Sequence, residues 1–216
     1  MQLTSTKSLE ECSQLNHRMS QCKDCTLHTE ASRHVPGVFC NAEDTIDLMF
    51  IGEAPGASED ARGVPFVGRA GQLLQQTLQK LNITKNIYIT NVIKHRPPNN
   101  RKPTQEEMIT CGGKFLCTEI LILRPKAIVC LGRSPAEYLM NLSGVPWVKG
   151  SLRGHQFSLD QHNGVPKEKP LWSCPVLCTW HPSFILRRRD KAPELEEDLL
   201  LAVEITSSKE KNECQL

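Results

Sequence analysis

Short runs of apolar and β-branched residues punctuate this chain at wide intervals. The runs are continuous rather than alternating, which is typical of parallel strands that are covered on both faces. Four of them predict strands, at residues 46–51, 86–90, 127–131 and 176–179. The segment 156–159 is a weaker strand candidate, because it lies in a stretch rich in glycine and proline.

Helical patterns separate these strands. Apolar residues at helical spacing predict an amphipathic helix over 69–81. Thr104 and Glu107 form a capping box that opens a second helix. Two more helices are predicted over 135–142 and 193–206. Strands that alternate with helices predict an α/β fold with three layers, α/β/α, around a central, mostly parallel four-stranded sheet.

The 216 residues are enough for one domain with a complete core. We expect this domain to span residues 1–206, with a polar, irregular segment at 1–45 and a disordered tail at 207–216. No apolar run approaches the roughly 18 residues that cross a bilayer. Residues 1–11 are polar and predict no secretory signal, so we expect a cytoplasmic protein that does not contact membranes.

The charge is nearly balanced, but it is unevenly distributed. With 26 basic and 24 acidic residues the net charge is +2, which neither requires nor excludes nucleic acid. Two basic loops lie at 94–102 and 184–191. The chain also has ten cysteines, and most of them read as small buried apolar residues rather than as a disulfide framework. Only Cys22 and Cys25, as C-x-x-C, have the spacing of metal ligands.

Polar or glycine-rich segments follow three of the predicted strands. They are residues 52–60, Asn91 and residues 180–183. The first is not a phosphate-binding loop, because it lacks both common glycine-rich patterns. Each segment alone is typical of a turn or a cap. Because ligands of parallel sheets bind at the carboxyl ends of the strands, the three together predict a binding site at one edge.

Four segments carry a resemblance to a known family. They read GEAPGASED, GVPFVGRAGQLL, YITNVIKHRPPNNRKPTQEE and TWHPSFILRR. In this order and spacing they resemble the family 4 uracil-DNA glycosylases, the iron–sulfur members of that superfamily, over about residues 18–205. The resemblance implies a monomeric enzyme of base-excision repair that hydrolyses the glycosidic bond of deoxyuridine in single- or double-stranded DNA. No lysine suggests itself as a Schiff-base nucleophile, so we expect no strand cleavage.

The resemblance also implies how the base is recognised. A base inside DNA must leave the stack and enter a fitted pocket. Phe66 resembles the residue that stacks on uracil, and Asn91 resembles the amide that bonds O4 and N3 and so rejects cytosine. Ala54 would offer its backbone N–H to the base.

Three further residues take catalytic roles by the same resemblance. His181 resembles the donor to uracil O2 that stabilises the leaving anion, and a neutral imidazole suffices for it. Glu53 occupies the position beside the uracil and the attacking water. It could hold the water, exclude the methyl group of thymine or stabilise the positive charge on the sugar. Glu59 is a second candidate carboxylate.

The metal site departs from the family pattern. Family members usually hold a 4Fe–4S cluster through four cysteines. Cys22, Cys25 and Cys111 match, but His95 occupies the remaining position. Our hypothesis is a Cys3His cluster, with Zn²⁺ on the same ligands or a lost cluster as alternatives. A related subgroup with histidine here cross-links to abasic DNA through an Arg-rich insertion, which this chain lacks, so we expect no cross-linking.

The basic loops are predicted to contact DNA. The resemblance implies that the loop with Arg187, Arg188 and Arg189 enters the minor groove and fills the gap left by the flipped base. Phosphate contacts would make the affinity sensitive to salt. Arg96 and Arg101 are further candidates for backbone contacts.

Two other functions remain open at this point. The first is an iron–sulfur module that binds DNA without catalysis, which a uracil-release assay would distinguish. The second is a glycosylase for another deaminated base such as hypoxanthine. Asn91 favours uracil, because its amide matches the edge of that base.

Overall fold

The computed structural model describes residues 3–41, 45–84, 86–146, 150, 152–161 and 172–213. A mixed sheet lies at the centre of this part of the chain, with strand order β1-β3-β2-β4-β6-β5. The strands are β1 (Val38–Cys40), β2 (Leu48–Gly52), β3 (Ile87–Asn91), β4 (Ala127–Leu131), β5 (Gln156–Gln161) and β6 (Trp172–Thr179). The prediction of four strands is therefore wrong, since the described sheet has six.

The four predicted strands form the parallel centre of the sheet. β2 pairs in parallel with β3 on one side and β4 on the other, and β4 pairs in parallel with β6. The two additional strands are antiparallel edges, with β1 on β3 and β5 on β6. β1 has three half-buried residues and described positions of β5 alternate between exposed and half-buried, so neither produces a continuous apolar run.

Helices cover both faces of the sheet. They are α1 (Leu3–Ser20), α2 (Leu27–Glu30), α3 (Ala57–Arg62), α4 (Arg69–Lys80), α5 (Gln105–Cys111), α6 (Cys117–Leu123), α7 (Arg133–Leu142), α8 (Pro182–Arg187) and α9 (Ala192–Glu213). A π-helical turn, Gly112–Leu116, joins α5 to α6. None of the described helices is both long enough and apolar enough to cross a membrane.

Alternate residues of each central strand enter two separate cores, as the pleat requires. On β2, Met49 and Ile51 pack in one core with residues of α6 and α7. Leu48 and Phe50 pack in the other core with residues of α4, α8 and α9. This arrangement confirms the predicted three-layer α/β/α architecture.

The two ends of the chain differ from expectation. Residues 3–20 form the helix α1, although we expected an irregular segment. Its few apolar side chains include Leu15 and Met19, which are buried in a third apolar cluster. Helix α9 continues past the predicted end at Thr206, so residues 207–213 are helical where we expected a disordered tail. Residues 214–216 lie outside the described part.

Candidate active site

The carboxyl ends of the parallel strands form one rim of the sheet. Gly52 at the end of β2 lies in register with Asn91 at the end of β3. The pairing extends into the following loops, because the amide of Ile93 donates to the carbonyl of Glu53 at 3.0 Å. The ends of β4 and β6 are also joined, since the amide of Gly132 donates to the carbonyl of Thr179 at 3.0 Å. The three segments predicted to share an edge therefore do so.

Asn91 and Phe66 converge above Gly52. A Cβ atom at Gly52 would overlap Oδ1 of Asn91 and the ring edge of Phe66, so only glycine leaves room for both side chains. Asn91 and Phe66 are themselves buried. The ring of Phe66 lies 6.1 Å from that of His181, measured between centroids. An amide, an aromatic ring and an imidazole thus meet at the rim, from three separate parts of the sequence.

His181 is oriented by the helix that follows it. It is the N-cap of α8, and the backbone amide of Ser183 donates to its Nδ1 at 3.1 Å. Because Nδ1 accepts this bond, the proton of the neutral ring lies on Nε2. Burial, together with the charge of Arg187, lowers the pKa of His181 to about 4. The ring is therefore a neutral Nε2–H donor at physiological pH.

The two predicted carboxylates have different surroundings. Oε2 of Glu53 accepts a hydrogen bond from the hydroxyl of Ser134, in the first turn of α7. Both oxygens of Glu59 are bound to backbone amides, one from Gly56 at 3.1 Å and one from Gly68 at 2.7 Å. Glu59 thus ties together the two loops on either side of α3. These contacts favour a positioning role for Glu59 over the predicted catalytic role.

Sequence reasoning did not identify Ser134. The available signal was its place after a predicted strand, where β4 turns into α7 through Gly132. Gly132 has a φ of +93°, and a Cβ there would lie 2.9 Å from Cβ of His181. The end of β4 therefore contributes to the rim both a partner for Glu53 and a close backbone approach to His181.

Three cysteines pack against one apolar cluster beside this rim. Cys111 is part of it, and Cys22 and Cys25 border it together with Ala54 from the loop after β2. The amide of Lys94 donates to Sγ of Cys111 at 3.3 Å. Burial raises the pKa of Cys111 to about 12 and also raises that of Cys25.

His95 lies near these cysteines. It lines a cavity of about 330 Å³ together with Cys22, His28 and His34. Burial lowers the pKa of His95 to about 4, so its ring is neutral and has a lone pair for a metal. Within the described ranges, no three histidine, cysteine, aspartate or glutamate side chains are grouped closely enough to hold a metal ion. The structure thus brings the donors to one region without forming a coordination group.

The arginines predicted to contact DNA differ in how they are engaged. Arg188 forms a two-point ion pair with Asp190, with its Nη2 2.8 Å from Oδ2. Arg101 is bound at two points to Glu107, with distances of 2.9 and 2.6 Å, and so braces the start of α5. Arg96 donates to Asn100 at 2.8 Å. Arg187 ends α8, and the exposed Arg189 begins the turn that follows.

Comparison with known proteins agrees with this architecture. The family model described as the Uracil DNA glycosylase superfamily matches residues 39–203, which include every strand of the parallel centre. Three relatives are each described as a type-4 uracil-DNA glycosylase. That of Archaeoglobus fulgidus is 34% identical over 94% of this chain and 96% of its own length. That of Pyrobaculum aerophilum is 40% identical over 87% of this chain and 90% of its own length. That of Thermotoga maritima is 37% identical over 90% of this chain and 92% of its own length.

The family match first places the chain in a class, the enzymes of the uracil-DNA glycosylase superfamily. The extent of the similarity to the three relatives narrows this assignment. The chain belongs to the type-4 family of uracil-DNA glycosylases.

Proposed function

We propose that the protein hydrolyses the N-glycosidic bond of deoxyuridine in DNA, giving free uracil and an abasic site in an intact strand. The observation that carries this proposal is the convergence of Asn91, Phe66 and His181 at the rim of the sheet. These groups supply an edge reader, a stacking surface and a hydrogen-bond donor. The family assignment supports the same reaction and a place in DNA repair.

Recognition of the base is assigned to the buried amide and the aromatic ring. The carbonyl oxygen of Asn91 accepts from N3–H of uracil, and its amino group donates to O4. Cytosine presents the opposite pattern, an acceptor at N3 and a donor at C4, so it would leave a buried amide unpaired. That mismatch is costly in a desolvated pocket. Phe66 stacks on the flipped base, and the N–H of Ala54 adds a backbone contact.

Departure of uracil is assigned to His181. As the glycosidic bond breaks, negative charge accumulates on uracil and positive charge on the sugar. The Nε2–H of His181 donates to O2, a bond that strengthens as the charge grows and therefore stabilises the transition state more than the bound substrate. A neutral ring keeps its proton throughout, in agreement with the lowered pKa of His181.

Hydrolysis is assigned to Glu53. Ser134 occupies Oε2 of this carboxylate, which limits its rotation. We assign Oε1 to the attacking water, and the negative charge of the carboxylate stabilises the sugar cation. Because the nucleophile is water and no side-chain amine attacks the sugar, the strand remains intact and the enzyme is monofunctional.

The cysteines and His95 are assigned to a 4Fe–4S cluster with Cys3His ligation. Three thiols and a neutral imidazole are a suitable donor set for such a cluster, and the same set would suit Zn²⁺. The raised pKa of Cys111 means that its thiolate needs a compensating positive charge, which a metal provides. A bound cluster supplies a cross-link between the end of α1, the loop after β3 and the end of α5.

Binding of DNA is assigned to the exposed arginines near the rim. Arg187, Arg188 and Arg189 lie at the end of α8 and just after it, and His181 is the N-cap of the same helix. If their loop enters the DNA groove, the short helix would place the uracil pocket next to the target nucleotide. Arg96 is a further candidate for a phosphate contact. Arg101 is a weaker one, because Glu107 already occupies its guanidinium.

A uracil-release assay tests the proposed function. Single-stranded DNA with one uracil is incubated with the protein and then divided into samples with and without alkali. We expect breakage at the uracil only after alkali, and no breakage with His181→Ala protein at short times. Breakage without alkali would contradict the monofunctional mechanism. Binding without any release would favour the non-catalytic module, and release from hypoxanthine DNA alone would favour a different base.

A further inference from the structure

A charged pair is buried directly behind the residue that reads uracil. Lys94 and Glu119 have side chains that are 0% and 1% exposed, and Nζ of Lys94 lies 2.7 Å from Oε2 of Glu119. The ammonium group also donates to Oγ1 of Thr90 at 2.6 Å and to the carbonyl of Asn91 at 2.8 Å. All three donors of the lysine are therefore used, two of them by the last two residues of β3.

The carboxylate closes this network. Glu119 accepts from the hydroxyl of Thr90 at 3.0 Å and from the hydroxyl of Tyr88 at 3.1 Å. Glu119 lies on α6, so one helix is bonded to three positions of β3, including its last two residues, through the lysine and the two hydroxyls. A buried ion pair is a weak source of stability, because desolvation of both charges offsets their attraction. Its geometric effect is more specific, since it fixes where β3 ends.

Lys94 also contacts, through its backbone, the region formed by Cys22, Cys25 and Cys111, which we call the cysteine region. Its amide donates to Sγ of Cys111 at 3.3 Å, and its carbonyl accepts from the amide of Val35 at 2.7 Å. One residue therefore contacts the carbonyl of Asn91 with its side chain and a predicted metal ligand with its main chain. The two sites are joined through a single buried position.

We propose that Lys94, held by Glu119, is a positioning residue for uracil recognition. By bonding the carbonyl of Asn91 it fixes the peptide plane from which the amide side chain projects, and therefore the direction in which that amide meets uracil. This inference rests on the proposed function of Asn91. A displacement of about 1 Å in a recognition group is enough to lower a rate roughly 100-fold.

The informative variant removes both buried charges together. Lys94→Met alone leaves Glu119 unpaired and should lower Tm by about 10 °C. The double variant Lys94→Met with Glu119→Gln keeps similar volumes and leaves no buried charge, so it should fold near the wild-type Tm. Lys126→Met is the matched control. Lys126 pairs with Asp47 at 2.8 Å, at the opposite end of the strands.

Three measurements follow for each protein: the single-turnover rate of uracil release, inhibition by free uracil, and the rate on cytosine relative to uracil. In the double variant we expect the rate to fall roughly 10- to 100-fold. Inhibition by free uracil should weaken in parallel, and discrimination against cytosine should decrease. The control should keep all three. A fold defect without a positioning role would lower Tm but would leave uracil inhibition of the folded fraction unchanged.

Three outcomes would overturn the inference. The first is a folded double variant with the rate and uracil inhibition of the wild type. The second is a loss of iron or zinc in the double variant equal to that in Cys111→Ala. The change in rate and in uracil inhibition would then result from loss of the metal and not from a displaced Asn91. If the wild type releases no uracil, the proposed function fails, and a crystal structure of the double variant tests the positioning alone. A displaced Asn91 amide then supports the inference, and an unmoved amide is the third contrary outcome.

Discussion

The rim of the sheet and the cysteine region achieve their geometry in different ways. At the rim, side chains from separate segments already touch or converge, as in the contact of Ser134 with Glu53 and the approach of Asn91 to Phe66 over Gly52. In the cysteine region, Cys22, Cys25 and Cys111 share one apolar cluster, but the described residues contain no group of three metal donors. The sheet register determines the first geometry. Under the proposed function, a bound cluster would complete the second.

This difference follows from what each site needs in order to be stable. At the rim, His181 and the carboxylates of Glu53 and Glu59 already have partners among backbone amides and hydroxyl groups, so this geometry can form without a ligand. The proposed cluster would need thiolates, whereas burial raises the pKa of Cys111 to about 12. Without a positive charge nearby, the buried thiol of Cys111 favours its protonated form. If the proposed cluster binds there, folding of that region is coupled to metal binding.

Replacement of His181 should cause the largest change in the single-turnover rate, and it alters the rim without altering the cysteine region. His181→Ala removes a donor that acts mainly on the transition state, so the single-turnover rate should fall on the order of 10²- to 10³-fold. The affinity for DNA should change little, because the uncharged uracil gains little from this bond. Rates at saturating protein and a separate binding titration measure the two quantities. A variant that lost binding but kept the saturated rate would make His181 a structural cap of α8.

The same residue predicts a pH dependence. The pKa of His181 is lowered to about 4, while an unfolded histidine titrates near 6.5. The contribution of His181 to folding stability is therefore complete above about pH 6.5 and is lost as the pH falls toward 4. For catalysis, the ring of His181 stays neutral between about pH 6.5 and 8.5, so the single-turnover rate should not fall over that interval. A rate that declined over that interval with a histidine-like midpoint would indicate an imidazolium donor instead.

Replacement of His95 addresses the cysteine region alone. His95→Ala removes one of four proposed ligands and should lower metal affinity by at least the roughly 10-fold that the loss of a supporting contact costs. The Tm should fall with the metal content, because the end of α1 loses its cross-link. His95→Cys is the matched control, and it should keep or increase the bound iron. Iron and zinc analysis together with the visible absorption spectrum distinguish an iron–sulfur cluster from zinc.

Equal iron in wild type, His95→Ala and His95→Cys would exclude His95 as a ligand. Uracil release provides the link to the rim. If the rim forms without the metal, metal-depleted His95→Ala protein should keep part of its activity at a temperature below its Tm. A complete loss of activity in folded, metal-free protein would mean that the rim also depends on the metal.

The sequence was informative where physical constraints produce a repeating signal. Strands buried on both faces give continuous apolar runs, so β2, β3, β4 and β6 were predicted, and the capping box at Thr104 and Glu107 is confirmed. The edge strands gave no such run. The helix α1 was missed because only a few of its residues are apolar and buried, among them Leu15 and Met19.

The site residues divide in a similar way. Motif residues at strand ends could be identified, and the structure brings Asn91, Phe66 and His181 together. Ser134 carries no signal of its own, since its effect depends on which carboxylate it meets. Lys94 lies in a predicted basic loop, and the sequence does not show that its side chain is completely buried and paired with Glu119, which is distant in sequence. Partners that are distant in sequence are visible only in the folded chain.

The smallest predicted effect concerns the loop after α8, which is part of neither the rim nor the cysteine region. Arg188 is exposed and already paired with Asp190, so DNA phosphate must compete with that carboxylate. Arg188→Ala should weaken DNA binding modestly and reduce the slope of log affinity against log salt by up to about 0.9, the value of one phosphate contact on duplex DNA. Asp190→Asn is the matched control and should strengthen binding, because it frees the guanidinium for phosphate. Titrations at two or more salt concentrations measure both slopes, and single-turnover rates at saturating protein should remain near the wild type.

An unchanged slope in Arg188→Ala would mean that this arginine does not contact phosphate. A large loss of the saturated rate would mean that the loop, like the rim, acts on the chemical step.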